Sequence, residues 1–126
     1  MNYPEELKYA RSHEWMKLLD DTTALVGITE FAQDALGDMV YANLPDVGDK
    51  VTIGEAFADV ESVKAVYDII SPVNGVVTAV NKRLLEDPET INGCPYDSWF
   101  VEIGEISEVS DLLTAEEYQV LCDEDA

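Results

Sequence analysis

The stretch ADVESVKAVYDIISPVNGVV, Ala58 to Val77, sets two valine-rich, strand-like runs on either side of one lysine, Lys64. EAFADVES and AVYDII read as the arms of a hairpin, with Lys64 in the turn between them. Only 7 of the 126 residues are Lys or Arg. A lysine flanked by Val63, Ala65 and Val66, with Glu61 as the nearest charge, therefore raises two readings. It is an ordinary residue of a surface turn, or it is displayed for modification. An exposed ammonium is a good acyl acceptor, and acylation removes its charge and lengthens its arm. Spacing alone leaves both open.

Working outward, HEWMKLL (His13 to Leu19) and TALVGI (Thr23 to Ile28) read as strands joined by a turn at Asp20, Asp21 and Thr22. TEFAQDALG then reads as a short helix, capped by Thr29 and ended by Gly37. MVYANL, VTI, VVTAV and SWFVEI are further strands, whereas LEDPETINGCP reads as a loop. TAEEYQVLC reads as a C-terminal helix whose Thr114 and Glu117 have capping-box spacing, with Leu113, Tyr118, Leu121 and Cys122 on its inner face. Strands this short and turns this frequent predict a mainly β barrel or sandwich rather than βαβ units. Two P-x-x-G segments, Pro45 to Gly48 and Pro72 to Gly75, bracket the hairpin; the pattern carries weight only if each half supplies matching strands of one sandwich.

The length predicts a single domain spanning residues 1–126. With 27 acidic residues against 7 basic ones, the formal net charge is −20. Such a surface repels a phosphate backbone and an anionic membrane, so neither nucleic acid nor membrane is expected as a partner. The charge suits a soluble monomer steered towards basic docking faces, or it serves solubility alone. No apolar run approaches the roughly 18 residues of a membrane span, and MNYPEELKYA reads as neither a signal nor an arginine-rich transit peptide, which predicts a cytoplasmic location. Cys94 and Cys122 have no metal-ligand spacing and read as free thiols; with a single His, no metal site is expected. Trp15 and Trp99 read as core anchors, and His13, beside Trp15 and without a nucleophile motif, is given no chemistry.

The segment VESVKAVYDIISPVNGVV resembles a lipoyl-attachment segment, in which the lysine is followed by Ser-Pro-x-x-Gly, here Lys64, Ser71, Pro72 and Gly75. Biotin carriers have Met on both sides of the lysine, and Val63 and Ala65 set that reading aside. LKYARSHEWMKL, VGITEFAQDALGDMVYANLPDVGD, VNKRLLEDPETIN, PYDSWFVEI and LLTAEEYQVL extend the likeness to the glycine cleavage H-protein family, in register from about Leu7 to Leu121.

The resemblance implies a lipoyl/biotinyl-type flattened barrel-sandwich hybrid, with a short internal helix and a C-terminal helix. It implies a non-catalytic carrier with lipoate joined to Lys64. Its partners would be a pyridoxal-phosphate glycine decarboxylase, a tetrahydrofolate-dependent aminomethyltransferase and dihydrolipoamide dehydrogenase, with a lipoate ligase or a lipoyl/octanoyl transferase attaching the cofactor. An aminomethyl thioether whose amine is unprotonated expels thiolate and decays to formaldehyde and ammonia, so the carrier must keep that amine protonated and dry. The resemblance assigns this cleft to Ser12, Glu14 and Asp68. Two residues depart from the family pattern: Cys94, and Tyr67, whose bulk beside Asp68 is expected to narrow the cleft. Some members relay lipoate to other enzymes, a second role the sequence barely separates from aminomethyl transport, although Ser12, Glu14 and Asp68 favour transport.

Overall fold

A computed structural model describes residues 1–125 as nine strands and four helices. The strands are β1 (Lys8–Tyr9), β2 (Glu14–Asp20), β3 (Thr23–Ile28), β4 (Met39–Asn43), β5 (Lys50–Val51), β6 (Ala56–Ser62), β7 (Val66–Ile70), β8 (Val73–Val80) and β9 (Val101–Val109). The helices are α1 (Glu30–Leu36), α2 (Arg83–Glu86), α3 (Thr90–Gly93) and α4 (Ala115–Asp125). Six strands form one antiparallel sheet in the order β1-β2-β3-β9-β8-β5, and β4-β6-β7 form a second. The expected flattened sandwich is therefore present as two separate sheets, not closed into a barrel.

The main core lies between the sheets, joining Val26, Ile28, Val77 and Ile103 of the larger to Met39, Val60 and Ile69 of the smaller. The alternation along β3 explains how one strand serves two cores. Ala24, Val26 and Ile28 point into the main core, while Leu25 faces the other side. There a second cluster of Tyr9, Trp15, Leu113, Tyr118 and Cys122 is covered by α4. Gly27 is required on that side: a Cβ there would lie 2.6 Å from the Trp15 ring, its partner across the β2–β3 pair. Strand β2 divides likewise, with Met16 in the main core and Trp15 in the second. Glu14, two residues before Met16, is consequently carried to the inner face between the sheets.

Both helix caps form as the sequence indicates. Thr29 Oγ1 accepts the Ala32 N–H at 3.2 Å, and Gly37 ends α1 at φ +80°. The Thr114 hydroxyl accepts from the Glu117 N–H at 3.2 Å while the Glu117 carboxylate accepts from the Thr114 N–H at 2.9 Å. Trp15 is a core residue; Trp99 is half-buried against the second cluster.

Three readings need correction. LEDPETINGCP is not a plain loop, since it contributes to α2 and contains α3. Each is a single turn that drives one apolar side chain, Leu84 or Ile91, fully inside. The last strand starts at Val101 rather than Ser98, because the Ser98 hydroxyl is engaged by the Thr90 and Cys94 carbonyls at 3.0 and 2.7 Å. The two P-x-x-G copies are not equivalent turns. Gly48 turns at φ +97°, whereas Gly75 lies in β8, where a Cβ would come within 2.6 Å of Ile103. Strand β5, which follows the first copy, does pair with β8, which begins within the second.

Candidate functional site

Lys64 is exposed at the tip of the β6–β7 hairpin. The turn is tied at its base by the Ser62 N–H donating to the Ala65 carbonyl at 2.8 Å. The Ser62 hydroxyl oxygen accepts from the Lys64 and Ala65 N–H groups, each at 3.1 Å, and the Val63 N–H donates to the Asp38 carbonyl at 2.9 Å. These bonds make a rigid mount for a mobile side chain. The lysine stem runs past the end of α1, where a Cβ on Gly37 would lie 3.5 Å from Lys64 Cε. Asn92 fixes that corner: its amide donates to the Gly37 carbonyl at 2.8 Å and to Gln33 Oε1 at 3.0 Å, while its side-chain oxygen accepts the Met39 N–H at 2.9 Å. Nothing local in ETINGCP signals this role.

At the other end of β7, Glu14 reaches the second sheet. It is 1% exposed. Its Oε1 accepts the Ser12 hydroxyl in a short hydrogen bond, and its Oε2 accepts the Ile70 N–H at 3.2 Å. Burial pushes the carboxyl up to about 7; the bonds from Ser12 and Ile70 act against that rise without cancelling it. A depression of about 270 Å³ opens here, lined by Ser12, Glu14, Ile53, Ile70, Pro72 and Asp111 among others. A buried carboxylate in a partly apolar recess favours a hydrogen-bonding cation, because the cation replaces the water that burial removed.

The structure thus brings Ser12 and Glu14 into direct contact and places Asp68 apart from them. Asp68 is exposed on β7, across from Asp59 of β6. Val66, Asp68 and Ile70 share one face of the strand, so Asp68 stands between the lysine tip and the depression that Ile70 lines. Tyr67, on the opposite face, packs against the main core and is absent from the depression's lining. Its hydroxyl donates to the Ser12 carbonyl.

His13, between Ser12 and Glu14, adopts φ +74°. This left-handed backbone is uncommon outside Gly. The imidazole goes to the other side of the sheet, with Nδ1 2.7 Å from the Tyr118 hydroxyl and the ring stacked on Phe31 at 4.8 Å. Tyr118 also contacts the Thr29 hydroxyl at 2.7 Å, so one network joins α4, the α1 cap and the Ser12–Glu14 segment. Cys94 is exposed and Cys122 buried, both as free thiols. No helix among the described residues is long and apolar enough to cross a membrane.

Residues 7–125 match the sequence profile of the family described as glycine cleavage H-protein. The glycine cleavage system H protein of Lachnoclostridium phytofermentans is 51% identical over 119 residues, 94% of each chain. That of Shewanella baltica is 52% identical over 127 residues, 98% of each chain. Among solved structures, a glycine cleavage system H protein from Mycobacterium marinum superposes with a TM-score of 0.88 at 39% identity, covering 93% of this chain and 96% of that one.

Proposed function

The chain belongs to the glycine cleavage H-protein family, and on that premise we propose that lipoate is joined through an amide to Lys64 and that its cargo is sheltered against Ser12 and Glu14. The observation carrying this reading is the arrangement of one hairpin strand, with an exposed lysine at one end and a buried carboxylate at the other. Strand β7 alone runs roughly 13 Å from Val66 to Ile70 at about 3.3 Å per residue, and Lys64 lies before its start, in the turn. A bare lysine does not cover that span, so a prosthetic extension of the side chain is what makes the two ends one site.

The residues present fit such a group. The Lys64 ammonium is open to a lipoate ligase or a lipoyl/octanoyl transferase, Gly37 leaves room beside the stem, and Ile53, Ile70 and Pro72 offer the recess apolar walls. When bound, lipoate would supply a cyclic disulfide that is reduced as it takes up the aminomethyl group left by glycine decarboxylation; the dithiol left after transfer to the folate-dependent aminomethyltransferase would be reoxidised by dihydrolipoamide dehydrogenase.

The chain itself acts by holding and protecting. Glu14, poised with its carboxyl near 7, ionises readily when a primary ammonium arrives, because an opposite charge favours the carboxylate. The resulting pair keeps the proton on nitrogen. The Ser12 hydroxyl and the Ile70 N–H hold the carboxylate in place, and the recess limits water. Asp68, on the exposed face, attracts the cation along the way from the hairpin tip. No nucleophile–base pair is called for.

Intact-mass measurement tests the attachment. Co-produced with a lipoate ligase, the chain should gain the lipoyl mass. Lys64→Arg should fold normally, because an exposed turn residue buries little, and should gain nothing, because guanidinium is not an acyl acceptor here. A lipoylated Arg variant would overturn the assignment.

A further inference from the structure

Deepening the reading just given, and resting on it for its biological purpose, we propose that Tyr67 is a positioning residue: its hydroxyl pins the Ser12 carbonyl to the second sheet and thereby keeps the Ser12 hydroxyl on Glu14. Ser12 lies in the turn between β1 and β2, outside any strand ladder. That turn is closed by the His13 N–H donating to the Ala10 carbonyl at 3.0 Å and the Ala10 N–H donating to the Glu14 carbonyl at 2.9 Å. The first holds the peptide plane after Ser12 by its N–H, but only to the turn itself. The Tyr67 hydroxyl ties the carbonyl of that same plane to the second sheet, donating to the Ser12 oxygen from β7.

The link therefore has two arms from the same strand. Tyr67 holds Ser12, Ser12 donates to Glu14 Oε1, and the Ile70 N–H donates to Glu14 Oε2. A phenol is long enough to span the gap between sheets while its ring stays packed against the main core. Burial, and then the negative charge of Glu14, push the Tyr67 hydroxyl up to about 12, so it remains a donor at every pH at which the protein works. The titratable groups facing Glu14 are Tyr67 on β7, with Arg11 and Asp111 at the mouth of the depression.

Unlipoylated protein suffices for the test. The Ile70 amide signal, followed by NMR against pH, reports ionisation of the Glu14 carboxylate it touches. Tyr67→Phe keeps the ring and removes only the hydroxyl, and should raise the Glu14 midpoint by roughly half a unit to one unit as Ser12 drifts away. Ser12→Ala should raise it at least as far, and the double variant should go no further than Ser12→Ala alone. An unchanged midpoint in either single variant would overturn the proposal, as would additive shifts in the double variant. If Tyr67→Phe fails to fold, exchange of the Tyr67 hydroxyl proton itself, read by NMR in wild type, keeps the question open to decision: slow exchange supports the pin, and free exchange refutes it. In lipoylated protein, Tyr67→Phe should also shorten the life of the loaded carrier several-fold. Failure of attachment at Lys64 would sink the functional reading while leaving the titration result intact.

Discussion

Glu14→Gln should stabilise the folded chain at pH 8 and do far less at pH 5. Burial moves this carboxyl from 4.5 up to about 7. Between those values the folded chain keeps a proton that the unfolded chain has released. The group's contribution to stability is therefore intact below pH 4.5 and falls as pH rises through 7. At about 1.4 kcal/mol per pH unit, the raised carboxyl costs the fold about 3 kcal/mol at pH 8, where it is charged in place, and about 1 kcal/mol at pH 5, where it holds a proton the unfolded chain has mostly released. Glutamine has nearly the same volume, no charge, an oxygen to accept the Ile70 N–H and an amide to donate to the Ser12 hydroxyl. Comparing variant with parent at each pH cancels the titration of the other acidic residues. The assay is urea unfolding at the two pH values, with pH 5 preferred to lower values because the isoelectric point is about 4.1. A midpoint gain that grows by about 2 kcal/mol from pH 5 to pH 8, at constant urea slope, is the expected result. A variant no more stable than the parent at pH 8 would refute the buried-carboxylate argument.

Gly27→Ala should destabilise by ~1–3 kcal/mol in thermal melts, because its methyl meets the Trp15 ring; Gly93→Ala, with nothing within 4 Å, should be close to neutral. Raising salt should weaken binding to the decarboxylase mainly by slowing association, since screening shortens the reach of the −20 charge; affinity flat from low to moderate salt would leave the acidity as a solubility device.

Features written in neighbouring residues were legible from the sequence. Thr29 and Gly37 delimit α1, Thr114 and Glu117 close the capping box, and the hairpin puts Lys64 at its tip. Ser12 and Glu14 stand out only through the family resemblance, and the alternation of β2 explains why Glu14 points between the sheets. What stayed hidden depends on contacts distant in sequence. Asn92 acts on residues of α1 and β4 far upstream, and Tyr67 on the turn before β2. The one-turn helices α2 and α3 do not stand out in RLLEDPETINGCP, because four residues are too few to show a helical period. In the sequence Tyr67 offers only its bulk, yet its hydroxyl makes the connection, and only the third dimension reveals what a hydroxyl reaches.

The central claim is that the recess at Glu14 protects what Lys64 carries, and the lifetime of the isolated, loaded carrier at pH 8 tests it most directly. Formaldehyde and ammonia release would be followed in the absence of the folate enzyme for wild type, Glu14→Gln and Asp68→Asn. A charge-assisted contact in a buried setting is worth ~1.5–3 kcal/mol, so Glu14→Gln should lose its cargo about tenfold to a hundredfold faster. Asp68→Asn, changed at an exposed position, should fall between it and wild type. Attachment and reoxidation need no such cation and should be nearly unaffected. Since Glu14→Gln is expected to be the more stable protein, faster loss cannot be laid to unfolding. Equal lifetimes for wild type and Glu14→Gln would contradict the account.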